Sequence, residues 1–202
     1  MKLYFSPGAC SLSPHIILCE SGLPFTLEKV DLRSKITASG ANFNTINPKG
    51  YVPALDTGSA LVLTEGPAIV QFLADQVPGK QLVPAAGTME RYQVLSWLNF
   101  IGTEVHKNYS PLFNPAASDE VRDGAHAALA KRYAYVEQQL AGKEYLHGGK
   151  FSVADAYLFV VTNWAGTVKL DLAGYPGVLA FQRRIGARPA VQQALREEGL
   201  ID

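Results

Sequence analysis

The order in which strand-like and helix-like segments follow one another in the first eighty residues limits the fold more than any other feature of the chain. Lys2 to Phe5 is a short apolar strand, followed by the loop Ser6-Pro7-Gly8-Ala9. A helix is predicted from about Ser11 to Ser21. Pro14 falls in its first turn, where a missing N–H is tolerated, and Gly22 suits its C-terminal stop. Phe25 to Asp31 alternates apolar and polar residues as a half-buried strand does. Strand, helix and strand in so little chain require a right-handed crossover and parallel pairing. Val52-Pro53-Ala54-Leu55 and Ala60-Leu61-Val62-Leu63 then flank Asp56-Thr57-Gly58-Ser59, a hairpin turn. A second long helix is predicted from Glu65 to Gln76, stopping before Val77-Pro78-Gly79.

Past Pro84 the strand signals end. Met89 to Lys107 carries Val94, Leu98, Ile101 and Val105 at helical spacing, a core-facing stripe. Asp119 to Leu140 is alanine-rich and amphipathic. Ser152-Val153-Ala154-Asp155 has the capping-box pattern, and the helix it opens is so apolar that it is expected to be the buried central one. Pro176 and Pro189 each begin a further short helix. The expected class is therefore α+β. A β-α-β, β-β-α domain occupies residues 1–80 and an all-helical domain residues 88–202, joined by the Pro- and Gly-rich stretch Val77 to Gly87.

Composition removes several kinds of function. The formal net charge is zero, with no basic stripe of the sort that binds nucleic acid. No apolar run approaches the length that spans a bilayer. The N-terminus enters strand-like sequence with no signal-peptide hydrophobic segment, so a cytoplasmic location is expected. Only two cysteines occur, Cys10 and Cys19, and their spacing is not Cys-x-x-Cys. A structural disulfide and a metal knuckle are both disfavoured, and no metal is expected.

Four places hold candidate chemistry. Cys10 stands just ahead of a helix N-terminus, where unpaired N–H groups and the macrodipole favour a thiolate; otherwise it is a small packed apolar residue. Cys19 lies inside the same helix and reads as structural. Val52-Pro53 precedes a strand; a cis bond there would turn the Val52 N–H and C=O toward a peptide ligand, and an ordinary edge proline fits equally well. Glu65 and the N–H of Gly66 open the second helix and suit an ammonium and a carboxylate, although Glu65 alone reads as a complement to the helix dipole. Asn99, Thr103 and His106 recur at steps of four and three, with Glu104 and Lys107 beside them, and are expected to share a helical face.

Taken in order, these residues resemble the bacterial beta-class glutathione transferases over the whole chain. The resemblance rests on Lys2-Leu3-Tyr4-Phe5 through Ala9-Cys10-Ser11, and on the run Asn47-Pro48-Lys49-Gly50-Tyr51-Val52-Pro53-Ala54-Leu55. Leu63-Thr64-Glu65, Asn99 with His106-Lys107, and the Ser152 to Asp155 box complete it. It implies a thioredoxin-like first domain and glutathione as co-substrate. Cys10 would lie against the glutathione sulfur, and Val52, before a cis Pro53, would pair with the cysteinyl backbone. Glu65 and Gly66 would hold the γ-glutamyl end, and Lys35 would approach the glycine carboxylate. Asn99, Thr103, Glu104, His106 and Lys107 would line the same site, some from the neighbouring subunit of a homodimer. Many family members have Ser where this chain has Gly66, so one hydroxyl contact is missing.

The implied reaction is attack of glutathione thiolate on a small hydrophobic electrophile, such as a halogenated aromatic, held between the two domains. Tyr109, Phe113 and Trp164 are candidates for that pocket's wall, with Trp164 reading more as core. Cys10, His106 and Ser11 are the candidate catalytic residues; Tyr4 and Ser6 are further hydroxyls near the thiol. A glutaredoxin-like thiol–disulfide reductase is the alternative activity. A transferase fold that binds without catalysis ranks last, because Cys10 and Glu65 are both present.

Overall fold

Strand β1 (Lys2–Phe5) is buried at three of its four residues, as a strand covered on both faces must be. The computed structural model describes residues 1–202 and divides into two units, residues 1–83 with 187–202, and residues 84–186. In the first unit β1 pairs in parallel with β2 (Thr26–Asp31), the crossover being α1 (Leu12–Ser21). β1 also pairs antiparallel with β4 (Ala54–Asp56), which pairs with β5 (Leu63–Thr64). The register Leu3 opposite Leu55 and Tyr4 opposite Ala54 carries apolar residues into the core.

Two elements here are too short to show a period in the sequence. They are β3 (Ile36–Thr37), which closes the sheet as β3-β2-β1-β4-β5, and α2 (Phe43–Ile46), a single turn burying Phe43 against Tyr4, Val52 and Ala54. Helix α1 ends as expected, with Gly22 at φ 71° donating to the Leu18 carbonyl. Helix α3 (Gly66–Asp75) follows β5 directly. The expected hairpin is present, but its strands are shorter than the sequence suggested, and the linker contains one 3₁₀ turn at Pro78–Lys80.

The second unit is all helix. Helix α4 (Met89–Phe100) does not simply run on to Lys107: Ile101–His106 is a π-helical stretch that passes into α5 (Lys107–Phe113). Each π turn holds an extra residue, so positions after it rotate relative to an ideal helix. Helix α6 (Asp119–Leu140) has the boundaries read from the sequence, capped by Ser118. Helix α7 (Val153–Thr167) is buried at every residue from 153 to 162, the central helix that its composition required. Helix α8 (Pro176–Gly186) begins on the Glu137 carboxylate, which accepts from the N–H groups of Gly177 and Val178 at 2.9 Å each.

The last helix, α9 (Pro189–Glu197), packs with the first unit, against α1. Its short amphipathic sequence does not announce which core it joins.

The start of α7 is fixed by one buried carboxylate. Asp155 accepts from the N–H groups of Leu146 and Ser152 at 2.8 Å each and from the Ser152 hydroxyl at 2.7 Å. Burial pushes its pKa up to about 6 against the opposing pull of those donors. An amide in its place offers one acceptor oxygen where two are used. Asp155→Asn is therefore expected to lower unfolding free energy by about 1–3 kcal/mol, read from urea denaturation midpoints.

Candidate functional site

The cysteine loop, the turn before β4 and the start of α3 meet in the first unit. Cys10 precedes the N-cap residue Ser11 and is half-buried. Its Sγ donates to the Val52 carbonyl at 3.3 Å. The Val52–Pro53 bond is cis, the geometry that the first of the two sequence readings required. Residue 52 thus touches the thiol through its backbone, while its side chain is buried with Tyr4 and Phe43.

Ser11 is fully buried, and its hydroxyl works within the loop. It accepts from the Ser6 N–H at 3.1 Å and gives its own proton to the Ser6 carbonyl at 3.3 Å. A hydroxyl has one proton, so in this arrangement Ser11 holds the loop and has none for the Cys10 sulfur.

Glu65 sits between β5 and α3 with φ 70° and ψ 114°, a backbone region that side-chain-bearing residues seldom occupy. Such outliers cluster at ligand sites. Its Oε1 accepts from Lys49 Nζ at 2.6 Å and from the Tyr51 hydroxyl at 2.9 Å, and Lys49 also donates to Thr64 Oγ1 at 3.1 Å. Hydrogen bonding to Glu65 raises the pKa of both Lys49 and Tyr51. The pair is about half exposed, and exposed pairs of this kind are weak, so a competing ammonium can exchange with Lys49 at little cost.

Lys49 and Tyr51 are residues the sequence reading passed over as site members, although both lie in the run that precedes Val52. The available signal was the cation two residues before an aromatic hydroxyl, close ahead of a lone carboxylate at a helix start.

At the α3 N-terminus, Pro67 has no N–H, and those of Ala68 and Ile69 bond back to the Glu65 carbonyl. The N–H of Gly66 is the first-turn donor outside that set. A Cβ at Gly66 would meet only Pro53 Cγ at 3.8 Å, an ordinary contact, so there is room for a serine there. Lys35, itself at φ 60°, donates from Nζ to the Gly50 carbonyl at 2.7 Å, on the other side of Tyr51 from Glu65 in the chain. Cys10, Lys35, Val52, Pro53, Glu65 and Gly66 are all in this unit.

Cys19 is inert. Burial, then the charges of Glu197 and Glu20, push its thiol up to about 12. It shares a cluster with His15 and Glu197, but both ring nitrogens of His15 are engaged by carboxylates, at 2.7 Å by Glu197 and 3.0 Å by Glu198. His15, Glu197 and Glu198 form a hydrogen-bonded cluster, and sequence reasoning missed it.

In the helical unit the π stretch separates residues expected on one face. Asn99, Thr103 and Lys107 are exposed, at steps of four, while His106 turns away from them. Its Nδ1 lies 2.7 Å from the Tyr157 hydroxyl, and its ring packs edge-on against Trp164 at 4.8 Å. Thr103 Oγ1 and Asn99 Nδ2 bond back to the carbonyls of Asn99 and Leu95. Glu104 pairs with Arg132 at 2.6 Å and lines a cleft of about 950 Å³ with Trp97, Phe100 and Tyr135. Of the three aromatics expected to wall a pocket, Tyr109 is fully buried with its hydroxyl on Tyr133, whereas Phe113 and Trp164 are partly exposed. Trp164 is thus not plain core.

A thioredoxin-like sheet unit with one cysteine ahead of its first helix and a carboxylate ahead of its third, followed by a helical unit, defines a thiol-using enzyme of the glutathione-transferase type. The glutathione S-transferase N-terminal domain model matches residues 8–76 and the C-terminal domain model residues 100–189. Glutathione S-transferase GstA of Escherichia coli O157:H7 is 47% identical over 200 residues, covering 99% of this chain and 100% of the relative. A ternary complex of BphK, a bacterial GST, is 58% identical with a TM-score of 0.97, covering 98% of this chain and 100% of that one. A sphingomonad glutathione S-transferase complexed with glutathione is 48% identical at a TM-score of 0.96. A beta-class glutathione S-transferase of Sphingomonas chungbukensis is 47% identical at 0.96; each of these two covers 100% of both chains. The chain belongs to the glutathione S-transferase family, and its likeness runs to the bacterial beta class.

His106 titrates far from neutrality. Burial first, then the Lys107 charge, lower its pKa to about 4. It is neutral at pH 7 and serves as a hydrogen-bonding group, too weak a base there for efficient proton abstraction. Its folded pKa lies below the ordinary value of 6.5, so its stabilising contribution is full above that value and is lost as pH falls toward 4. Unfolding free energy should fall by up to about 3 kcal/mol across that window. His106→Gln should flatten the decline, measured by urea titrations at successive pH values; an unchanged slope would remove His106 as its source.

Proposed function

We propose that the chain conjugates glutathione to small hydrophobic electrophiles, halogenated aromatics among them, with the glutathione sulfur held beside Cys10. The observation that carries this is the Cys10 thiol 3.3 Å from the Val52 carbonyl, in the unit whose α3 starts with the Lys49–Tyr51–Glu65 cluster. Glutathione has groups that match both places. Its cysteinyl amide is an extended backbone that can pair with Val52. Its γ-glutamyl end carries an ammonium for Glu65 and a carboxylate for the Gly66 N–H. Lys35 is the cation assigned to the glycine carboxylate.

Free glutathione is mostly protonated at neutral pH, since a thiol pKa is about 8.5. A donor beside its sulfur favours the thiolate. In the bound state Cys10 turns its S–H from Val52 to that sulfur. The thiolate then forms a carbon–sulfur bond to the electrophile as the carbon–halogen bond breaks, and the halide leaves with the electron pair. Neutral His106, oriented by Tyr157, is a positioning group, and Asn99, Thr103, Glu104 and Lys107 are assigned to the same site. Phe113 and Trp164 are assigned to the electrophile. The chain acts as a cytoplasmic homodimer, in which some of these helical residues come from the neighbouring subunit. No helix is long and apolar enough to cross a membrane.

The test pairs two assays, conjugation of an aromatic halide and reduction of a hydroxyethyl mixed disulfide, on wild type and Cys10→Ala. Loss of one hydrogen bond to a charged sulfur should lower the conjugation turnover about tenfold or somewhat more. Full conjugation in Cys10→Ala with reduction abolished would make Cys10 a redox residue and move activation to another donor. No conjugation in the wild type would remove the transferase reading.

A further inference from the structure

The last turn of the chain reaches the cysteine loop from far away in sequence. Glu198 follows α9, and its side chain is fully buried. Oε2 accepts from the Gly8 N–H at 2.8 Å, and Oε1 lies 3.0 Å from Nδ1 of His15. Gly8 has φ 70°, and a Cβ there would lie 3.6 Å from Leu200, so this turn also covers the glycine. The neighbouring Glu197 meets the other ring nitrogen of His15 at 2.7 Å, and the ring lies between Phe5 and Phe25. Arg188, just before α9, holds Glu20 of α1 with two nitrogens at 2.6 and 3.1 Å. Every one of these groups belongs to the first unit.

Besides the backbone turn in which the Ala9 N–H donates to the Ser6 carbonyl at 3.0 Å, two side-chain locks hold the segment ahead of Cys10. One is internal, the Ser11 hydroxyl on both backbone groups of Ser6. The other is external, the Glu198 carboxylate on Gly8, two residues before the cysteine. A buried carboxylate that holds a backbone N–H and an imidazole at once is a demanding anchor, because removing it takes a hydrogen-bond partner from each. The Ser6–Ala9 backbone turn and the Ser11 lock close the loop on itself, and the Glu198 carboxylate ties its Gly8 corner to the end of the chain.

We propose that Glu198 is a positioning residue for Cys10, through which the C-terminal turn sets where the thiol meets the glutathione sulfur. The proposal rests on the reading that Cys10 serves the glutathione sulfur. It assigns to residues 198–200 a part in the reaction, although they touch no reacting atom.

Glu198→Gln, Glu198→Ala and the double variant Glu198→Ala/Cys10→Ala test it. A glutamine can still accept from Gly8 through its oxygen. Its NH2 can donate to His15 Nδ1 in the tautomer whose single ring proton is on Nε2, facing Glu197, so Glu198→Gln should stay within about twofold of wild type. In Glu198→Ala the conjugation kcat should fall roughly threefold to tenfold with KM for glutathione little changed, since the γ-glutamyl anchors are untouched. Alkylation of Cys10 by iodoacetamide, followed by peptide mass, should change rate severalfold.

The double variant should be no slower than Cys10→Ala alone, because the effect of Glu198 passes through the thiol. A purely structural Glu198 would lower Tm in both backgrounds and give losses in kcat that multiply. Multiplying losses, unchanged alkylation, or a glutamine variant as impaired as alanine would each overturn the proposal. Glu198→Asp, one methylene shorter, gives the same readouts should the alanine variant fail to fold. Absent conjugation in the wild type would sink the transferase reading, while the alkylation rates would still report on the loop.

Discussion

A single thiol can serve a reaction only if the backbone that carries it stays put, and the loop Ser6–Ser11 has little structure of its own to ensure this. It contains Pro7 and a glycine in the left-handed region, and it lies between a strand and a helix. Beyond a backbone turn from Ser6 to Ala9, three side-chain contacts hold it: Ser11 with Ser6, Glu198 with Gly8, and Cys10 with Val52. The first ties the loop to itself, the second to the end of the chain, and the third to the sheet. Take these away and the helix N-terminus still favours an anion, but the sulfur no longer has a defined address.

The other half of the site uses electrostatics where the first uses packing. Glu65, between β5 and α3, has an uncommon backbone conformation, and its carboxylate meets Lys49 and Tyr51 rather than capping α3. That carboxylate is occupied by Lys49 and Tyr51, whose exposed positions make the contacts replaceable. The arrangement suits a zwitterionic peptide end. A resident cation holds the carboxylate in place, and an incoming ammonium can share or take its place.

Much of this could be read from the residues. Pro14, Gly22, Pro176 and Pro189 punctuate helices because each acts through backbone rules that are local in sequence. The buried helix α7 declared itself through composition, and the parallel β1–β2 pair through chain length. Cys10, Val52, Pro53, Glu65 and Gly66 were legible because each is adjacent to an element boundary.

What escaped depends on long-range or subtle geometry. Elements β3 and α2, two and four residues long, span about one period each, too little for a repeat to show. The π stretch at Ile101–His106 rotates His106 off the face that simple spacing assigned to it. Glu198 and Gly8 are 190 residues apart, and no local pattern connects them. Ser11 shows the same limit from the other side: its neighbour in sequence is Cys10, but its hydroxyl partner is Ser6.

Everything functional here requires that reduced glutathione bind to the folded chain with its sulfur next to residue ten. Isothermal titration calorimetry of the pure protein with reduced glutathione tests that requirement without any second substrate. A saturable heat of association, with one tripeptide bound per chain, is the result expected. No heat of association, with the protein shown to be folded, would contradict the account at its centre.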